Sequence, residues 1–151
     1  MKFSTSTNID QSHRLMQCGL DTNTADMVWR RIYDPISDSY EDKEHLLVMK
    51  YDTAKTIYGE TDVIPAWGLS VLLALMPETI TQGKTIYYLD FAPYDNKGWG
   101  FGYFNSTGIR SIKGLTYPCD PIEAAVRLIE WLKVNDYSLN TIIDSDNEKE
   151  N

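Results

Sequence analysis

The chain has 151 residues, 42% of them hydrophobic, with 14 Lys and Arg against 22 Asp and Glu and a formal net charge of −8. That length suits one domain, which can bury about 70% of its unfolded surface and so needs no disulfide or metal to fold. The composition excludes wholesale disorder, and no apolar run reaches the roughly 18 residues that span a bilayer.

The opening MKFSTSTNID has one Lys and no apolar core, so no signal peptide is expected there. Residues 8–18 read as a short helix. Thr7 followed by Asp10 resembles a capping box, and Gly19 is placed to close the helix in the left-handed conformation. The DTNT after it is a turn. Met27 to Ile32 predicts a strand, 33–45 an exposed acidic loop, and Leu46 to Tyr51 a second strand that pairs with the first across that loop. Residues 52–62 are polar.

Residues 65–76, PAWGLSVLLALM, predict a helix with Pro65 in its first turn and Pro77 just past its end. Its apolar residues cover most of the circumference, as in a helix buried on several sides. Three strands are predicted at 84–91, 99–105 and 109–113, with short turns between them, which argues for an antiparallel meander. The final helix, 120–134, is announced by Asp120 as N-cap, Pro121 at the first position and Glu123 three residues on. Ile122, Val126, Ile129 and Leu132 form its apolar stripe. The expected fold is α+β: a mainly antiparallel sheet in a helix, three-strand meander, helix core over 65–134, extended by the N-terminal helix and strand pair. The domain is expected to run over 1–143, with 144–151, DSDNEKEN, as a disordered acidic tail.

Three stretches carry a resemblance. LxxxGLDTNTADM, IPAWxLSxLLxLMP and DPIEAAVxLIxWL resemble segments of small uncharacterised proteins of phage and mobile elements, over about residues 12–135. The resemblance implies a cytoplasmic protein expressed in a bacterial host and brings no catalytic residues with it. The order of helix, meander and helix is also similar to the double-stranded-RNA-binding fold and to the HicB-type antitoxin fold. An RNA-binding domain of that type needs cations at the start of its last helix. Here Asp120 and Glu123 occupy that position.

Charge is uneven: residues 1–62 and 136–151 each carry a net −4, while 63–135 are neutral. The acidic balance disfavours nucleic acid and anionic membrane surfaces as partners. His13 and His45 have no partner at metal-ligand spacing, and Cys18 and Cys119 form no ligand cluster, so neither metal nor cofactor is expected. GWGFG at 98–102 lacks the residues of a phosphate loop. Cys119, beside the N-terminus of the last helix, and Asp90, which interrupts an apolar strand, are the two candidates for a reactive or polar site.

No catalytic constellation emerges, so the leading expectation is a non-enzymatic protein-interaction module whose partner is a host factor or a second copy. The alternatives are an antitoxin-like or nucleic-acid-binding regulator and a small-molecule enzyme built on Cys119 or Asp90. Candidate binding residues are Trp99, Phe101 and Tyr103 with Tyr87 or Tyr88. Turned away from the helices, these rings form an exposed patch. Turned toward them, they leave a flat, glycine-rich face outside.

Overall fold

The computed structural model describes residues 4–93, 98–113 and 120–142. Along the chain come α1 (Ile9–Gln17), β1 (Met27–Arg30), the short β2 (Tyr33–Asp34) and β3 (Ser39–Tyr40), β4 (His45–Leu47), α2 (Tyr51–Tyr58) and β5 (Val63–Ala66). Then follow α3 (Leu69–Leu75), β6 (Thr79–Gln82), β7 (Thr85–Pro93), β8 (Trp99–Phe104), β9 (Ser111–Lys113) and α4 (Pro121–Val134). The expected α+β class with mainly antiparallel pairing is what the chain adopts. No helix among the described residues is long and apolar enough to cross a membrane.

Helix α1 starts one residue later than Thr7 suggests. Its cap is Asn8, whose side chain accepts from the Gln11 N–H while the Gln11 side chain accepts from the Asn8 N–H. Thr7 is instead buried and holds together parts distant in sequence. Its backbone N–H donates to the Trp67 carbonyl at 2.9 Å, and its Oγ1 accepts from the Trp67 N–H at 3.0 Å and contacts Ser12 Oγ at 2.8 Å. Gly19, at φ 88°, closes the helix in the conformation that glycine adopts without penalty.

The N-terminal sheet has the order β4–β1–β5, antiparallel throughout, with Val28 opposite both Leu47 and Pro65. The long hairpin expected between 27–32 and 46–51 is present, but its second strand is only three residues long, and 51–58 is helix α2 rather than strand and polar loop. Helix α2 closes a small core of Val28, Tyr51, Ala54 and Val63. The loop expected at 33–45 carries the exposed β2–β3 hairpin.

The helix expected over 65–76 divides in two. Residues 63–66 extend along β1 as β5, and only Leu69–Leu75 is helical. Pro65 is accommodated because β5 is an edge strand, where a missing N–H costs no ladder bond. Trp67, between strand and helix, is fully buried and donates from Nε1 to Thr24 Oγ1.

The second sheet has the order β6–β7–β8–β9. It contains one strand more than the expected meander: β6 precedes β7 across a two-residue turn, Gly83–Lys84, with Gly83 at φ 62°. One face packs on α4, which is buried along most of its length and also packs on α3 and α1. Asp120 caps α4 as expected, accepting from the Glu123 N–H. The Glu123 carboxylate takes a different partner: it accepts from Arg14 Nη1 at 2.5 Å and from Arg127 Nε at 3.2 Å. Arg14 also donates to Glu130, so one guanidinium ties α1 to two turns of α4.

Burial works against the Glu123 carboxylate, but the Arg14 guanidinium outweighs it and holds the carboxyl below its ordinary value. A group depressed in the folded state stabilises above its unfolded value and loses that contribution as pH falls through the folded value. The urea midpoint of the wild-type chain is therefore expected to fall as pH drops below about 4. In Glu123→Gln the same acidification should cost measurably less. Equal pH dependence in the two proteins would contradict this assignment.

Candidate functional site

Strand alternation divides the four-stranded sheet into two chemically distinct faces. On the helix side, Tyr103 lies opposite Leu89 and Phe101 opposite Phe91. Tyr103 is 0% exposed and Phe101 2%. The Tyr103 ring stacks on Trp131 of α4, its hydroxyl donates to the Pro77 carbonyl at 2.7 Å, and burial pushes its ionisation well up. Tyr87, opposite Ile80, is buried on the same side.

Among the described residues, no second helix packs on the other face. Thr79, Tyr88, Phe104 and Ser111 form one row across the four strands, and Thr81 and Ile86 form the row beside it. Tyr88 is 46% and Ile86 48% exposed. Next to this aromatic ridge, Asp90 lies opposite Gly102 and Ala92 opposite Gly100. Both glycines are buried, so they offer no accessible floor to this face. Asp90 is its one carboxylate, exposed and without a hydrogen bond or ion pair among the described residues.

The structure thus realises the arrangement in which the Trp99–Tyr103 rings turn inward. Of the candidate binding aromatics, Phe101, Tyr103 and Tyr87 are core residues and form no exposed patch. Tyr88 lies on the open face. Trp99 is half-buried at the end of the sheet, its ring 5.8 Å from that of Phe91, which is 53% exposed and also stacks on Phe101. Ile86, Phe104 and Phe91 were not among the candidates. Ile86 could have been found by stepping two residues along the strand from Tyr88.

The polar candidates do not gather into a reactive centre. Cys119 lies outside the described residues. Asp90 stands alone on the open face. Cys18 is half-buried at the end of α1, where its thiol donates to the Leu15 carbonyl and burial pushes its ionisation up, against nucleophilic use. His45 pairs with Glu41 on the surface. Among the described residues, no three His, Cys, Asp or Glu side chains could hold a metal ion together.

A cavity of about 870 Å³ lies elsewhere, where the turn after α1 meets the segment after α4. Leu20, Leu75, Leu139 and Ile142 give it an apolar floor, while Lys50, Lys133, Asp21 and Asp136 place two charges of each sign around it. The size falls within the range of ligand pockets, but the balanced rim selects no ligand charge. Neither Asp90 nor Cys18 lines it.

Compared with known proteins, the chain matches no family model, no curated protein and no solved structure.

Proposed function

We propose that this chain is a non-enzymatic protein-interaction module, an accessory protein of a phage or mobile element, whose open sheet face receives a host protein. The observation that carries this reading is the pair Ile86 and Tyr88, about half exposed on one face of a regular strand, with Phe104 opposite Tyr88. Covering the exposed half of such a side chain recovers about half of the roughly 1.5–3 kcal/mol that full burial is worth. A partner that covers the ridge recovers that energy. Exposed aromatic patches of this kind mark protein-binding surfaces. The net charge of −8 on the whole chain supports a protein partner over nucleic acid.

Capture from a bacterial lysate tests the reading when run with two baits, the wild-type chain and Ile86→Ser/Tyr88→Ser. The wild type is expected to retain a discrete partner that the double variant loses at unchanged far-UV circular dichroism. Capture of nothing above background, or equal capture by both baits, would overturn it.

A further inference from the structure

We propose that the free edge of β6 pairs antiparallel with β6 of a second copy of this chain, about a two-fold axis beside Ile80, to make a continuous eight-stranded sheet. β6 is the outermost strand of its sheet. The Leu89 N–H donates to the Glu78 carbonyl at 2.8 Å, and this bond sets the alternation of the ladder. With the register 79 to 88, 80 to 87 and 81 to 86, Ile80 and Gln82 spend their backbone groups on β7, while the N–H and C=O of Thr79 and Thr81 point away from it. Those outward groups have no hydrogen-bond partner among the described residues.

Proteins that must keep such an edge unpaired place Lys, Pro or a bulge on it. β6 reads Thr-Ile-Thr-Gln, without charge, proline or irregularity in its register. The charges stand at its two ends: Glu78 just before it and Lys84 in the turn just after, both exposed. Antiparallel pairing about Ile80 sets Thr79 opposite Thr81 of the second copy and Glu78 opposite Gln82, within diagonal reach of Lys84. The symmetry repeats that contact at the other end. Parallel pairing would instead set Glu78 beside Glu78. In a chain of net charge −8, the strand edge is a place where two copies meet with opposite signs aligned.

The pairing joins the two open faces into one surface of twice the width. It does not depend on what binds that surface.

Sedimentation equilibrium of the full chain, from micromolar to millimolar, tests the proposal. The wild-type mass is expected to rise from 17.3 kDa toward twice that value. Thr81→Pro removes only an outward N–H, which an edge strand tolerates, and should remain monomeric with an unchanged circular dichroism spectrum. Glu78→Lys and Lys84→Glu should each weaken the dimer at least tenfold, and the double exchange Glu78→Lys/Lys84→Glu should restore it. The charge variants carry the test if Thr81→Pro fails to fold. A wild-type chain monomeric throughout would overturn the proposal, as would a dimer indifferent to the charge exchanges.

Discussion

Trp67→Ala is expected to lower the unfolding free energy by about 3–5 kcal/mol. Trp67 is fully buried in the main core, at the junction where β5 turns into α3. Removing its indole leaves a cavity among groups held by other bonds: the backbone of residue 67 is fixed to Thr7 in both directions, and the Gly68 N–H donates to Asp26. A junction held on three sides collapses poorly, which places the cost toward the upper end. With a total stability of about 5–15 kcal/mol for a domain, the variant sits near the limit of folding at 37 °C. Urea unfolding followed by circular dichroism measures the loss, and one below about 1 kcal/mol would show that Trp67 does not anchor this junction.

Thr7→Val should cost about 1–3 kcal/mol although it changes almost no volume. The Thr7 hydroxyl is 0% exposed, accepts from the Trp67 N–H and pairs with the Ser12 hydroxyl, itself 0% exposed. Valine fills the same space without an acceptor. The Trp67 N–H and the Ser12 hydroxyl then remain buried without partners, and each retains its desolvation cost. Thr7→Ser keeps the oxygen and should retain most of the stability. The comparison separates the hydrogen bond from packing: if serine and valine destabilise equally, the methyl group and not the hydroxyl holds the strap.

Helix α4 was the most legible element. Asp120, Pro121 and Glu123 mark its start, and a stripe at helical spacing marks its buried side. The partner of Glu123 was not legible, because Arg14 lies more than a hundred residues away and only the packing of α1 on α4 joins them. Helix α2 was hidden by a polar sequence, YDTAKTIY, whose cap Lys50 makes no side-chain capping bond. Pro65 fits either a first helical turn or an edge strand, and pairing with β1 decided for the strand. β6 is four mostly polar residues and becomes a strand through β7.

The candidate surface posed a different difficulty. The alternation of glycine and aromatic in WGFGYF fixes that the rings share one face, since a strand repeats every two residues. It does not fix which face the helices cover. That is a tertiary outcome, decided here by Tyr103 packing on Trp131.

Hydroxyl-radical footprinting read residue by residue by mass spectrometry tests the open face most directly, because Tyr87 and Tyr88 are neighbours with opposite surroundings. Oxidation is expected at Ile86, Tyr88 and Phe91, with Tyr87, Phe101 and Tyr103 protected, and the Tyr88 signal should fall when a captured partner is bound. Oxidation of Phe101 and Tyr103 with Tyr88 protected would place the helices on the other side of the sheet and contradict the account.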